Sequence, residues 1–415
     1  MPESRAGRHA LVFIFITVLI DVIGLGIVIP IVPKLIAGIA HVGLSDAARY
    51  GGWMLFTYAG MQFLCAPAIG NLSDRIGRRP VLILSLVAIG IDYTITGLAR
   101  TMVWLFVARA LSGMAGASYT TANAYIADVT PPEKRAASFG LIGAAFGLGF
   151  IIGPAIGGLL GQYDEHLPFF VSAGLAFCNA LYGFLVLKES HAPEHRRKFE
   201  WWRANPLGAL MALRRFPVVL PLCGVVVLAR LAHDSSPSTW TYYTMLKFHW
   251  TVAEVSYSLM AVGLITAIAF GTLPRLVPRL GERRAVYIGF SAGALATVGY
   301  ATASQPWMLY AWMVVGALTA FVMPALNTIM STEVGPTEQG ELQGAIASIA
   351  SLTSVGAPVL MSYLFALFTG PHAPFYFPGA SFAAASLCLV LAAVVFTLVK
   401  PGTAPARAAE PQSAE

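Results

Sequence analysis

The chain has 415 residues, 57% of them hydrophobic and only 11% charged, with a mean hydropathy of +0.71. A soluble domain carries roughly 25% charged residues, so the solvent for most of this chain is lipid. The net charge of +6 does not point to nucleic acid, because the basic residues sit between apolar runs rather than in one patch.

A spanning helix needs roughly 20 apolar residues. The first such run, 10–36, follows Arg5 and Arg8 as a signal peptide would. It is too long for one, carries Asp21 and has no small-residue cleavage site, so it is expected to persist as a helix. Further runs lie near 50–71, 80–99, 103–126, 137–161 and 168–187. After a polar stretch come 217–238, 255–276, 284–303, 306–330, 341–368 and 375–399. The pattern predicts an all-α integral membrane protein of twelve transmembrane helices. Residues 188–215, beginning "KESHAPEHRRKFEWWRANP", form the one long hydrophilic insert and divide the helices six and six. The expected organisation is an N-terminal six-helix bundle (1–187), a central loop (188–215), a C-terminal six-helix bundle (216–399) and a disordered tail (400–415), rich in Pro, Ala and Glu.

Lys and Arg set the orientation. Arg75, Arg78, Arg79, Lys134, Arg135, the central-loop cations and Arg279, Arg283 and Arg284 fall on one side, with both termini. Lys34, Arg49, Arg100 and Lys247 fall on the other. Both termini and the central loop are therefore expected in the cytoplasm.

Several polar residues lie inside the apolar runs. Asp21 and Asp92 sit near the middle of the first and third spans. Low dielectric disfavours a charged carboxylate there, so each is a candidate to load and release a proton, or else a structural partner of Arg109. In the fourth span Arg109, Ser112, Gly116, Thr120 and Asn123 share one face, and a stripe holding an arginine must meet a wet cavity or a partner. Outward snorkelling of Arg109 is the alternative. The seventh span offers "LARLAHDSSPSTW" (228–240). There Arg230 and Asp234 are i,i+4 neighbours that either neutralise each other or face a cavity, and His233 titrates in the physiological range. Trp240, Tyr242 and Tyr243 read better as an interfacial belt than as a gate. Asn327, after Pro324, is a cavity candidate. In the fifth span Gly149, Gly153, Gly157 and Gly161 recur every fourth residue and make a smooth face, with Pro154 set to kink it.

Cys65, Cys178, Cys223 and Cys388 are far apart within apolar runs, so no disulfide and no metal site is expected. No HExxH and no phosphate-binding loop occurs, which speaks against a membrane enzyme or an ATP-driven pump and leaves no catalytic residue to assign. "RIGRRPVLI" (75–83) has an echo half the chain later in "RLGERRAVYI" (279–288), as an internal duplication would give.

From about residue 10 to 399 the chain resembles the major facilitator superfamily, and within it the drug:proton antiporters of the tetracycline-efflux type. "GNLSDRIGRRPVL" (70–82) is similar to the family's loop motif between spans 2 and 3. "LFVARALSGMAGA" (105–117) resembles its span-4 motif, and "GLGFIIGPAIGGLLG" (147–161) its antiporter motif in span 5. The narrower likeness rests on "LIDVIGLGIVIPIVP" (19–33), "YAGMQFLCAPAIG" (58–70) and "LSLVAIGIDY" (84–93).

The resemblance implies a proton-driven exporter of an amphipathic drug in the bacterial inner membrane. It would need no cofactor beyond the proton gradient, and its substrate would be a drug or the metal chelate of one. A monomer should suffice, with lipid, protons and a small molecule as its partners. An uptake symporter or facilitator of the same fold is the alternative. By resemblance, Gly70, Asp74, Arg75, Gly77, Arg78 and Arg79 form a cytoplasmic latch, with Asp74 facing the start of span 11. Gly149, Gly153, Pro154, Gly157 and Gly158 form the antiporter motif, packed against span 8. Asp21, Gln62 and Asp92 match polar residues of the tetracycline pumps. One position departs: Gly293, in "IGFSAGALAT" (288–297), stands where those pumps carry a span-9 aspartate. The chelate substrate and the proton route are therefore not carried over.

Overall fold

The computed structural model describes residues 5–116, 119–130, 135–190, 194, 196, 219–334 and 338–399. Most of the expected central loop, and all of the expected tail, lie outside them. Among the described residues every regular element is helical.

The first half comprises α1 (Arg5–Val28), α2 (Val32–Ala40), α3 (Leu44–Ile76), α4 (Arg78–Leu98), α5 (Met102–Gly116), α6 (Tyr119–Val129), α7 (Arg135–Leu160) and α8 (Leu167–Val186). The second comprises α9 (Leu220–His233), α10 (Ser235–Phe248), α11 (Val252–Leu280), α12 (Glu282–Thr302) and α13 (Pro306–Gly316). A 3₁₀ turn (Ala317–Phe321), α14 (Val322–Thr332), α15 (Gln339–Thr369) and α16 (Ala380–Leu398) complete it.

Among the described residues, eight helical stretches are long and apolar enough to cross a membrane, or nine if α1 and α2 count as one span bent by 48°. The bend was not anticipated, yet its cause is in "IVIPIVP". Pro30 supplies no backbone N–H and interrupts the ladder, and Pro33 suits the first turn of α2. Three expected spans fall short. Gln62 and Asn71 dilute the apolar surface of α3, α5 and α6 lie on either side of residues 117–118, which are outside the described residues, and α9 and α10 are parted at Asp234.

The sequence echo is repeated in the backbone. Gly77 joins α3 to α4 at φ 109°, and Gly281 joins α11 to α12 at φ 82°. Both are conformations that only glycine adopts without strain. His41 closes α2 and His249 closes α10, both left-handed at φ 53° and 56°. Beside each glycine an arginine ties two helices together. Arg79 lies 5.5 Å from the Phe184 ring and donates to the Phe184 carbonyl at 2.6 Å. Arg283 lies 5.1 Å from the Phe396 ring and donates to the Val399 carbonyl at 3.1 Å. The two halves thus use one construction twice.

The apolar side chains form three clusters whose membership gives the shape. One is drawn only from the first half, around Ile14, Val18, Val22, Tyr125 and Leu187. Another is drawn only from the second half, around Val226, Phe290, Leu326 and Phe396. The largest takes residues from both, including Ile31, Leu35, Met54 and Phe169 with Trp240, Tyr242, Tyr243, Tyr300 and Phe382. It lies away from the Gly77 and Gly281 loops, whose arginines mark the basic end of the bundle. The halves are therefore cemented at one end only.

Two expectations change here. Trp240, Tyr242 and Tyr243 are not a belt at the lipid surface: all three are buried in the shared cluster. The seventh span is helical as far as Phe248, further than its apolar run, so these rings lie along α10 and pack inward. Trp240, Tyr243, Tyr300 and Phe382 meet edge-on or tilted, with centroids 4.9–6.4 Å apart.

The glycine face of α7 also differs from expectation. A methyl group on Gly153 would stand 2.6 Å from the Ile23 carbonyl and 2.8 Å from Gly26 Cα, and one on Gly149 would stand 2.7 Å from Val22 Cβ. Gly157 lies against Ile27 in the same way. These glycines seat α1, in the same half. Gly158, on an adjacent face, meets Ser256 of α11, so it is this residue that serves the seam between the halves. Spacing defines a smooth stripe but not which helix occupies it.

Gly153→Ala should overpack the α1–α7 seam and cost about 1–3 kcal/mol. Gly147→Ala, with nothing within 4 Å of the added methyl, should cost nothing. Thermal unfolding of the two purified variants checks the difference, and equal melting would refute the assigned partner.

Candidate functional site

Between the two halves lies a cavity of about 1220 Å³, larger than the 300–1,000 Å³ usual for drug-sized ligands. Tyr93, Trp240 and Tyr300 line it near the shared cluster, and Leu82, Leu187 and Phe270 line it near the basic end. The cavity starts under the shared cluster and opens where the two halves no longer touch.

Most of its wall is apolar, and apart from hydroxyls such as Thr17, Ser236, Thr241, Thr297 and Thr319 the polar exceptions are few. From the first half come Asp21, Tyr58, Gln62, Arg109 and Ser112. From the second come Arg230, His233 and Asn327, with Gly293 beside them. The structure therefore brings together most of the polar residues singled out from the sequence. Asn123 and Asp234 are not in the wall, and Asp92 stands behind it.

Arg109 does not snorkel. Its Nη2 donates to both oxygens of Asp92, at 2.9 and 2.8 Å, and the Asp92 carboxylate is wholly buried. A buried ion pair costs desolvation on both sides, and the forked bonds repay it only in this geometry. Asp92 thus holds Arg109 to the wall, and Arg109 neutralises Asp92.

Asp21 is held differently. Asn179 Nδ2 donates to its Oδ1 at 3.3 Å and to the Thr17 carbonyl at 3.1 Å. No cation pairs with Asp21 among the described residues. Asn179 was missed from the sequence, although a lone amide in "FCNALYG" is the kind of intramembrane polar residue that signals a buried bond. Tyr58 was also missed. It stands one turn before Gln62 on α3, and Gln62 Nε2 donates to the Gly116 carbonyl at 3.2 Å.

In the second half, Arg230 and Asp234 stay one helical turn apart at the end of α9, where the Asp234 N–H donates to the Arg230 carbonyl at 3.0 Å. Asp234 accepts from Ser354 Oγ at 3.1 Å and makes no ion pair with Arg230. The mutual neutralisation weighed from their spacing is not present. Gly293 has a packing role: an added methyl would stand 2.5 Å from Thr319 Cγ2 and 3.0 Å from Leu389 Cδ1. Glycine there lets α12 close against the 3₁₀ turn, which leaves no room for an acid without rearrangement.

At the basic end, Arg78 pairs with Asp74 at 2.5 Å and reaches Asp128 at 3.5 Å. The Glu189 carboxylate accepts from the backbone N–H groups of Arg78 and Arg79, at 2.8 and 3.3 Å, and so caps α4. Arg75 is exposed at the end of α3, and Gly70 lies inside α3 with open space around it rather than at a close approach. The expected contact of Asp74 with the start of α15 is absent among the described residues. The described partners of Asp74, Arg78 and Arg79 all belong to the first half.

Two similarly built sets of membrane helices around one sparsely polar cavity define a membrane carrier. The sequence profile of the Major Facilitator Superfamily matches residues 14–357 and 222–414, and the chain belongs to that family. It is 38% identical to the class C tetracycline resistance protein of Escherichia coli, over 86% of this chain and 90% of that one. It is 35% identical to the class D protein of Salmonella ordonez over the same shares. Among solved structures, the nucleoside transporter NupG shares the fold at a TM-score of 0.75 and 14% identity, covering 96% of this chain and all of that one. The human organic anion transporter MFSD10 does so at 0.70 and 21%, covering 94% and 100%.

Asp92→Asn should leave the Arg109 guanidinium buried and uncompensated, at a cost of about 3–5 kcal/mol. Asp92→Asn combined with Arg109→Gln should recover much of that loss. Thermal unfolding of the single and double variants checks the pair, and additive losses would show that the two side chains do not depend on each other.

Proposed function

We propose that this chain exports a tetracycline-like amphipathic drug across the bacterial inner membrane in exchange for protons, by alternating access. The observation that carries the reading is the cavity itself: central, mostly apolar, with one carboxyl in its wall to which no cation pairs among the described residues. The relatives named for tetracycline resistance support the substrate class.

In this reading α3, α5–α6 and α9–α10 are three further crossings, which brings the total to twelve in two six-helix bundles. The basic end is cytoplasmic, as the Lys and Arg bias requires, and the structure corresponds to the inward-open state. A drug enters from the cytoplasm or the inner leaflet, and the shared aromatic cluster bars its way outward. Release requires the cluster to part and the basic end to close. On closure Asp74 would approach α15 and complete the latch that the resemblance implies.

Asp21 is the proposed proton carrier. A carboxyl with only an amide partner gains or loses its proton without breaking an ion pair. Asp92 cannot do so while Arg109 holds it. No ATP-binding loop is present in the sequence, so the driving force is an ion gradient.

The test is tetracycline susceptibility of a pump-deficient bacterium expressing this protein, with and without an uncoupler. Expression should raise resistance, and both the uncoupler and Asp21→Asn should abolish it. Full resistance from well-expressed Asp21→Asn would remove Asp21 from the proton path. No resistance from the wild type would remove tetracycline as substrate.

A further inference from the structure

We infer that the carrier receives its substrate in a negatively charged form, with Arg230 taking that charge. This deepens the export reading and rests on it for treating the cavity as a transport site.

The argument starts from the two arginines of the cavity wall. Arg109 is spoken for by Asp92. Arg230 is not: among the described residues no ion pair and no hydrogen bond holds its side chain, and its Nε is buried without a partner. Asp234, one turn along, is beyond ion-pair distance, outside the wall and bonded to Ser354. Asn327 lines the same cavity and could turn its amide N–H groups towards a ligand. His233 adds a ring nitrogen to the same wall.

Asp234 lies near enough to interact with Arg230 electrostatically, but no acid among the described residues is hydrogen-bonded to the guanidinium, and a bound anion would supply those forked, charge-assisted bonds. The second-half wall holds no acid to do this internally. Gly293 provides none, and the one carboxyl that reaches the cavity, Asp21, stands on α1 in the other half. A site with this charge balance suits an organic anion and rejects a cation. For tetracycline it selects the metal-free molecule, whose deprotonated enol oxygens are available to the guanidinium. In a metal chelate those oxygens are already occupied by the cation.

The experiment is equilibrium binding to the purified full chain in lipid nanodiscs. Tetracycline is titrated in EDTA and in excess Mg²⁺. Fluorescein, an anion, and rhodamine 123, a cation on the same ring skeleton, are titrated alongside. The expected result is tetracycline binding at least as tight in EDTA as in Mg²⁺, and fluorescein preferred to rhodamine 123. Arg230→Gln should weaken tetracycline in EDTA and fluorescein by roughly tenfold or more, the loss expected for a charge-assisted pair, and leave rhodamine 123 unweakened. Tetracycline binding that requires Mg²⁺ and is unchanged in Arg230→Gln overturns the inference and leaves the drug reading standing. Loss of fluorescein binding in Arg230→Gln, from a protein that binds no tetracycline, supports the anion site and removes tetracycline as substrate. The wild-type choice between the two dyes needs no variant, and preference for the cation overturns the inference by itself.

Discussion

The joining of the two helix sets at one end is the constraint on which the rest of the structure depends. Trp240, Tyr242, Tyr243, Tyr300 and Phe382 pack with Ile31, Leu35 and Met54 in one cluster, and no comparable cluster joins the halves at the basic end among the described residues. Glycine makes this closure tight. Gly51 receives the Tyr242 hydroxyl, and Gly52 lies against Ser362 and the Pro358 carbonyl. Ser45 Oγ adds a hydrogen bond to the Thr369 carbonyl at 3.0 Å across the same seam. A cavity open at the other end follows directly.

The closure is made of aromatic edges, small residues and one side-chain hydrogen bond, with no ion pair across it among the described residues. Within the first half, the α1–α7 seam sets backbone against backbone at Gly26 and Gly153. The boundary between the halves therefore runs along Gly158–Ser256 and the shared cluster, and α7 packs with α1.

Much of this was legible in the sequence because lipid restricts the chain so strongly. Apolar run length placed α4, α8, α12 and α16 closely, and the charge in "SDRIGRR" and "RLGERR" marked the basic end. Polar residues within spans pointed to the cavity, and Asp21, Gln62, Arg109, Arg230, His233 and Asn327 do line it. What stayed hidden depends on who faces whom. The spacing of Gly149, Gly153 and Gly157 is the same whether α1 or α11 fills the stripe. Arg230 and Asp234 keep ion-pair spacing, but the Asp234 carboxylate accepts from Ser354 instead. Trp240 and Tyr243 have the composition of an interfacial belt, but the length of α10 carries them inward. Asn179 was overlooked because its apolar neighbours dominated the reading of its span.

The charge arrangement links these observations. A cavity wall in a membrane carries few charges, so each must be paired, neutral at rest, or reserved for a ligand. Asp92 and Arg109 are paired. Asp21 has a neutral partner and is free to change charge. Arg230 is neither paired nor able to discard its charge, because a guanidinium stays protonated. Of the three roles only the last is left for it.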